Sequence, residues 1–197
     1  MKHRNNLCKE ECEVKMNKAK LYKRYPISSI VLYNGSTTIH FFLGGLIIAS
    51  TGYFWGSIGT IFGISYLLVS LIEMYILMPL QVCKNCVYYR LENGLCISGL
   101  NLWARKITKP GASKFFPSRA TGLLCPNNIY ILSLTFPILA GIVILIIHFT
   151  LVLLFGIFVL FILLIVRFFL IIPKLACVHC YSKFICPQAG QMGVREK

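Results

Sequence analysis

The sequence predicts an all-α membrane protein with four transmembrane helices, arranged as two repeated hairpins with a cytoplasmic Cys-rich loop and tail. Three observations predict this fold: an apolar composition, two very long apolar blocks, and basic residues confined to three segments. Hydrophobic residues make up 57% of the 197 residues and charged residues only 13%, whereas ordinary soluble domains carry about 25% charged residues. This composition excludes a disordered chain and argues against a plain soluble enzyme.

The two apolar blocks cover residues 27–80 and 129–172. A helix rises about 1.5 Å per residue, so the shorter block alone would form a helix of roughly 66 Å, twice the thickness of the hydrocarbon core of a bilayer. Each block is therefore expected to cross the membrane twice. The first hairpin is predicted to turn near Ser50–Gly52, beside Tyr53 and Trp55 at the membrane interface. The second is predicted to turn near His148–Thr150, with Gly156 as the alternative.

The basic residues predict how the chain is oriented in the membrane. Residues 1–26 hold eight Lys and Arg, residues 81–128 hold seven, residues 173–197 hold four, and the two short turns hold none. Because Lys and Arg accumulate on the cytoplasmic side, we expect a multi-pass protein of the cell membrane with a cytoplasmic basic head, central loop and tail, and with both termini in the cytoplasm. The net charge of +14 is explained in this way without a nucleic-acid partner.

The ends of the two apolar blocks carry the same pattern. A charged residue is followed six positions later by proline, four later by cysteine and three later by a second cysteine: Glu73, Pro79, Cys83 and Cys86 in the first half, and Arg167, Pro173, Cys177 and Cys180 in the second. This register predicts two parallel repeats related by an axis along the membrane normal. Each proline is expected to stop or kink its helix at the boundary of the bilayer.

The cysteines predict a metal site. Thiols in the cytoplasm stay reduced, so clustered cysteines there indicate metal binding or redox chemistry. Thiolate ligands at two-residue spacing suit either an iron–sulfur cluster or zinc. The candidate ligands are Cys83, Cys86, Cys96, Cys125, Cys177, Cys180 and Cys186. Whether Cys8 and Cys12 also bind is left open.

Two arrangements of these ligands remain open. In the first, each half builds its own site, and Cys125 completes the site in the loop. The tail site then needs a fourth ligand from His179, Cys8 or Cys12. In the second arrangement, the two Cys-x-x-Cys pairs face each other across the pseudo-axis and share one centre.

Polar residues inside the apolar blocks are candidates for function, because charge within a bilayer is costly. Glu73 and Arg167 occupy equivalent positions at the same predicted depth. Either they form an intramembrane ion pair, or Arg167 extends to the nearby headgroups while Glu73 is protonated or reaches water. The polar stretch 34–40, which ends at His40, is expected either to line a cavity or to hydrogen-bond between helices.

The central loop indicates a lipid partner. Its segment 105–119 combines Arg105 and four further basic residues with Phe115 and Phe116, a mixture typical of contact with anionic lipid headgroups.

Three functions are consistent with the sequence, and it does not decide between an enzyme and a non-enzyme or give the oligomeric state. The first is an iron–sulfur electron-transfer protein or redox accessory with a redox partner. The second is a membrane scaffold whose loop and tail are stapled by zinc and which binds a partner protein. The third is a small transporter that uses the polar layer of Glu73, Arg167 and His40.

Overall fold

The computed structural model describes residues 21–52, 56–111, 126–186, 189–190 and 192–194. Four helices in these ranges are long and apolar enough to cross a membrane: span 1 is Ile27–Ala49, span 2 is Ser57–Asn85, span 3 is Asn128–Ile147 and span 4 is Leu151–Cys177. The described part of the chain contains no β-strand, apart from an isolated bridge between Arg24 and Leu95. The prediction of four membrane-spanning helices is therefore confirmed, and the chain has the architecture of a multi-pass membrane protein.

Spans 2 and 4 change helical type along their length. Span 2 contains an α-helix Ser57–Ile72, a π-helix Glu73–Leu77, a short α-helix Met78–Gln81 and a 3-10 turn Cys83–Asn85, whereas span 4 contains an α-helix Leu151–Val166 and a π-helix Arg167–Cys177. Span 1 is α-helical throughout, and the α-helix of span 3 runs over Pro126–Ile147. The loop between spans 2 and 3 adds two short α-helices, Val87–Arg90 and Leu100–Ile107.

Span 1 packs against the other three spans, and span 3 packs against span 4. The interior of the bundle has two apolar clusters. One surrounds Ile47 and Leu160 towards the short turns, and the other surrounds Phe41 and Leu134 towards the cysteine-bearing end. Large apolar side chains also cover the outside of the bundle, among them Val69, Leu139, Ile146, Val152 and Phe155. An apolar outer surface is what a bilayer requires, since lipid replaces water as the solvent.

Glycines let neighbouring spans approach closely. A Cβ atom at Gly44 would lie 2.8 Å from the Pro137 ring of span 3, and one at Gly63 would lie 2.6 Å from the carbonyl oxygen of Gly45 on span 1. Helices in membranes associate largely through such close packing, because lipid tails provide no hydrophobic drive between them.

The turns lie where the sequence predicts them. Span 1 ends at Ala49 and is followed by the turn at Ser50 and Thr51; residues 53–55, including Tyr53 and Trp55, lie outside the described residues. The second turn covers 148–150, where the Thr150 hydroxyl accepts a 3.4 Å hydrogen bond from the amide of Leu153. Gly156, the alternative turn position, lies inside the helix of span 4.

The prediction that proline ends or kinks spans 2 and 4 at the boundary needs correction. Both helices continue beyond Pro79 and Pro173, and each changes to π-helix at the charged residue six positions before its proline. A π-helix interrupts the α-helical ladder, so it tolerates the missing amide and the ring of proline. In span 2, the carbonyl of Tyr75, four residues before Pro79, accepts a 2.8 Å hydrogen bond from the indole of Trp103 in the loop.

Candidate metal centre

Each Cys-x-x-Cys pair closes a turn of the same kind at the end of its span. The amide of Cys86 donates to the carbonyl of Cys83 at 3.1 Å, and the amide of Cys180 donates to the carbonyl of Cys177 at 3.2 Å. In such an i to i+3 turn, the first and last side chains lie on the same side. Both thiols of a pair can therefore serve a common centre, as the two-residue spacing predicts.

A third cysteine joins each pair. We call Cys83, Cys86 and Cys96 the loop triad, because each of these thiols lies within electrostatic range of the other two. We call Cys177, Cys180 and Cys186 the tail triad for the same reason. The fold thus brings together six of the seven predicted ligands.

The two triads are neighbours, and Cys86 is the thiol that faces both. Its sulfur lies 3.1 Å from the hydroxyl of Ser182, a buried residue between the second and third cysteines of the tail triad. It also interacts electrostatically with Cys180 and Cys186. The structure therefore combines features of the two predicted arrangements: each half has its own triad, and the triads adjoin.

Tyrosines fasten the segment before span 1 to the loop and the tail. The hydroxyl of Tyr88 in the loop donates to the carbonyl of Tyr22 at 2.6 Å, and the hydroxyl of Tyr25 donates to the carbonyl of Ala176. The amide of Tyr22 donates to the carbonyl of His179 at 3.0 Å, and the two rings stack with centroids 4.3 Å apart. The ring of His179, a predicted alternative ligand, therefore contacts Tyr22.

Burial sets the protonation of the central thiols. It raises the pKa of Cys86 to about 11; Cys96 and Cys186 add to this rise, and the hydrogen bond with Ser182 opposes it. Burial likewise raises the pKa of Cys180, with Cys86 as the next cause. These thiols are therefore neutral near pH 7 in the absence of a cation. Catalytic thiol–disulfide exchange depends on a lowered thiol pKa, so this environment suits metal binding better, because a metal deprotonates its thiol ligands.

Lys183 is a charged residue of this region that the sequence analysis did not single out. It lies between Cys180 and Cys186, its side chain is 1% exposed, and its ammonium donates to the carbonyl of Val178 at 3.2 Å. A buried cation beside several thiols would balance part of the negative charge of a thiolate-bound metal. A lysine inside a cysteine-rich tail is the only sequence signal that could have indicated it.

The triads do not form a finished metal site as they stand. Across the described ranges, no three Cys, His, Asp or Glu side chains are arranged to hold a metal ion. Cys83, Cys86, Cys96, Cys177 and Cys180 are free thiols. The predicted ligand Cys125, together with Cys8 and Cys12, lies outside the described residues.

No protein-family model, no curated protein and no solved structure matches this chain. Function must therefore be inferred from the geometry of the molecule itself.

Arg105, one of the basic residues predicted to contact lipid headgroups, makes its described hydrogen bonds within the loop. Its guanidinium donates hydrogen bonds of 2.7–2.8 Å to the carbonyls of Tyr88, Tyr89 and Leu91. These carbonyls lie at the end of the short helix Val87–Arg90, where backbone acceptors lack helical partners. Arg105 thus holds the loop triad in place, whereas Lys114, Phe115, Phe116 and Arg119 lie outside the described residues.

A second candidate site is a polar layer inside the bundle. Glu73 and Arg167 are both buried, each 1% exposed, and each begins a π-helix at the equivalent place in its span. Their predicted ion pair is not formed between these two described side chains. Arg167 instead donates to the carbonyl of Tyr33 at 3.3 Å and to the hydroxyl of Ser36 at 3.1 Å, and lies over the rings of Tyr33 and Tyr130.

Glu73 has its own partner on span 3. Its Oε2 accepts a 2.7 Å hydrogen bond from Ser133, while its Oε1 has no hydrogen-bond partner among the described residues. Tyr130 lies within electrostatic range of both charged groups. The ring of Tyr130 is thus near both charged groups. In addition, each half of the chain supplies a serine that hydrogen-bonds to the charged residue of the other half.

The polar stretch of span 1 forms the predicted hydrogen bonds between helices. His40 is 1% exposed, and its Nε2 lies 2.8 Å from the carbonyl of Leu134 on span 3. The side-chain amide of Asn34 donates to the carbonyl of Ser98 in the loop at 3.0 Å. This stretch therefore joins span 1 to its neighbours.

Proposed function

We propose that this is a membrane electron-transfer protein whose loop triad and tail triad together bind an iron–sulfur cluster at the cytoplasmic membrane surface. The observation that carries the proposal is the position of Cys86, which hydrogen-bonds to the tail through Ser182 while belonging to the loop triad. Cysteine thiolates are the usual ligands of such clusters. Six cysteines, drawn from segments about 90 residues apart, lie in two adjoining, half-buried triads.

Zinc held by the same cysteines is the alternative, with the protein then acting as a scaffold. Structural zinc contributes mainly by holding segments together. In this chain the loop, the tail and the segment before span 1 are already joined by hydrogen bonds of Tyr25 and Tyr88. A metal needed only to hold these segments together would add little to the hydrogen bonds already present, and this favours the redox role.

Metal binding would bring the sulfur atoms of the two triads closer together. A metal lowers the pKa of its thiol ligands and draws each sulfur to roughly 2.3 Å. The turns of Cys83–Cys86 and Cys177–Cys180 already align the thiols of each pair. Cys125 is the remaining predicted ligand and would add a fourth thiol to the three of the loop triad.

We further propose that the two hairpins are parallel repeats and that the cysteine-bearing end is cytoplasmic. The repeat is supported by the matching π-helices at Glu73 and Arg167 and by the matching turns of the Cys-x-x-Cys pairs. The orientation is supported by the basic residues of the head, loop and tail.

The metal proposal is tested by purifying the full-length protein under anaerobic conditions. We expect broad visible absorption together with iron and acid-labile sulfide in the metal analysis. Cys86→Ser and Cys180→Ser should each lose most of the metal, since one touches both triads and the other the tail pair. Lys106→Gln changes an exposed loop residue outside both triads; it is the control and should keep the metal.

Other outcomes of this experiment are equally decisive. If the purified protein is colourless and contains stoichiometric zinc, the electron-transfer proposal is rejected and the zinc scaffold is supported. Protein that is free of metal, or loss of metal only in the control variant, would contradict both.

The orientation is tested with two engineered cysteines. Glu92 is exposed in the loop and Phe149 is exposed at the opposite turn. In intact cells, a membrane-impermeant thiol reagent should label Phe149→Cys and leave Glu92→Cys unmodified. The reverse pattern would invert the topology.

A further inference from the structure

We infer that Glu73, Ser70 and Ser133 form a binding site for one exchangeable monovalent cation, a proton or Na⁺, inside the membrane. This inference concerns the polar layer and is independent of the metal proposal. It accounts for a buried carboxyl group that makes no ion pair with its expected counterion, Arg167, among the described residues.

The first step of the argument is the charge of Glu73. It is the only acidic residue of the sequence within the four spans, and it is 1% exposed. An isolated carboxylate in a medium of low dielectric constant is so costly that it either takes up a proton or finds a cation. Among the described residues the guanidinium of Arg167 makes no ion pair with Glu73: its Nη1 donates to Tyr33 and Ser36, and its Nε and Nη2 have no hydrogen-bond partner.

The second step is the set of oxygen atoms around the carboxyl group. Glu73 Oε1 and the hydroxyl of Ser70 are both buried without a hydrogen-bond partner among the described residues. They belong to residues three positions apart, which share one helix face. Ser133 completes the set, since its hydroxyl already contacts Glu73 Oε2 at 2.7 Å. Carboxylate and hydroxyl oxygens are the hard ligands that alkali cations prefer, and the same carboxylate binds a proton.

The third step is access from the bilayer. A groove with a volume of about 340 Å³ opens between spans 2 and 3, and Ser70 and Ser133 form part of its wall together with Phe62, Tyr66 and Phe136. Phe62 and Phe136 are about half exposed on the outside of the bundle. Tyr66 donates its proton to the carbonyl of Ser133 at 2.7 Å, and its hydroxyl also lies close to that of Ser70. The groove therefore gives lipid-soluble molecules access to two of the three ligands.

Two titratable side chains lie within electrostatic range of the carboxyl group, Tyr66 on span 2 and Tyr130 on span 3. Arg167 on span 4 lies beyond Tyr130, and His40 on span 1 lies within range of Arg167.

The test is modification of the full-length protein in lipid vesicles with dicyclohexylcarbodiimide, a lipid-soluble reagent that attacks protonated carboxyl groups. Mass spectrometry should find the adduct on Glu73, with labelling that falls as the pH rises between about 5 and about 9. A water-soluble carbodiimide should label the exposed Glu92 in the loop and spare Glu73. Glu73→Gln should abolish the lipid-soluble adduct.

Two serine and threonine variants identify the ligands. Ser133→Ala removes the hydrogen bond that favours the ionised carboxylate, so labelling should persist to a pH about one unit higher, a tenfold change in proton affinity. Thr135→Ala is the matched control, because the hydroxyl of Thr135 bonds only to carbonyls of its own helix. Ser70→Ala should weaken protection by Na⁺.

The arms of the experiment distinguish the two cations. Protection by Na⁺ but not by choline identifies Na⁺ as a ligand of the site, and labelling that follows pH alone identifies the proton. The inference is overturned if Glu73 stays unlabelled while the water-soluble reagent modifies Glu92. It is also overturned if neither pH nor Na⁺ changes the labelling.

Discussion

Ser133 donates a 2.7 Å hydrogen bond to Glu73, and this contact connects the two halves of the chain inside the bundle. Ser36 makes the corresponding contact with Arg167 in the opposite sense, from the first half to the second. Each charged residue is thus stabilised by a serine of the other half. The two charges are held within one layer without touching.

This arrangement predicts that Glu73 and Arg167 contribute to stability independently. Arg167→Ala and Glu73→Ala should each change the unfolding free energy, and the double variant should equal their sum within about 0.5 kcal/mol. Thermal unfolding in one detergent measures all three variants. A clearly smaller loss in the double variant would show that the two charges do form an ion pair in the membrane, because removing one partner strands the other.

The close packing of spans 1 and 2 predicts a strong effect of one added methyl group. In Gly63→Ala the new Cβ would lie 2.6 Å from the Gly45 carbonyl and 2.7 Å from the Cβ of Ala49. Backbone cannot yield to this overlap, so we expect a loss of about 1–3 kcal/mol in unfolding free energy.

Gly35→Ala is the matched control on span 1, because its Cβ would meet no atom within 4 Å. Alanine favours a helix over glycine by up to about 1 kcal/mol, so this variant should unfold at the same or a higher temperature. Equal destabilisation of both variants would contradict the packing described for Gly63.

The raised pKa of Cys86 predicts an alkaline dependence in metal-free protein. The folded thiol titrates at about 11 against an ordinary value of 9.0, so folding binds the proton more tightly. Its contribution to stability is therefore present below pH 9 and is lost as the pH rises towards about 11.

Alkylation of Cys86 is the measurement of this dependence. Its rate should continue to rise between about pH 9 and about pH 10.5, because the thiolate is the reactive form. Urea-unfolded protein serves as the control, in which the rate should level off near the ordinary pKa. The same early plateau in folded protein would mean that Cys86 is exposed to water.

The hydrogen bonds of Arg105 predict that the loop depends on this side chain. Arg105→Gln removes the guanidinium donors from the carbonyls of Tyr88, Tyr89 and Leu91. The carbonyls of Tyr88 and Leu91 keep a second donor, so the loss is mainly that of one unpaired acceptor at Tyr89, at a cost of about 1–3 kcal/mol. Limited proteolysis should cut the loop faster. Lys106→Gln changes the exposed neighbour and should leave the rate unchanged; equal rates in the two variants would assign Arg105 to the surface instead.

The four crossings could be predicted because the length and composition of apolar segments follow directly from the thickness of a bilayer. The turns of Cys83–Cys86 and Cys177–Cys180 could be predicted because two-residue spacing has a local geometry. The sequence could not decide whether Glu73 and Arg167 form an ion pair. The position of a residue along a span gives its depth in the membrane, but not the side of the helix to which its side chain points. Ser36 and Ser133, which decide the partners of the two charges, carry no signal of that role in the sequence.

The π-helices and the contacts of the loop also lie beyond sequence reasoning. A proline indicates only that an amide is missing, and the donor to the carbonyl of Tyr75 is Trp103, 28 residues away. The hydrogen bonds that join Tyr22 to the loop and Tyr25 to the tail connect residues that are far apart in the sequence. Such pairings follow from packing in three dimensions.

The docking of Tyr22 and Tyr25 onto His179 and Ala176 fixes an order of events during biosynthesis. Chains are made from the N-terminus, so the segment before span 1 emerges long before the residues that it contacts. This segment can make these contacts only after span 4 has been inserted and the tail has left the ribosome. The tail triad is also synthesised after the loop triad. If the two triads bind one cluster as proposed, that cluster can be delivered only after the tail triad has been made, and a ribosome-bound chain truncated before Cys177 should acquire none.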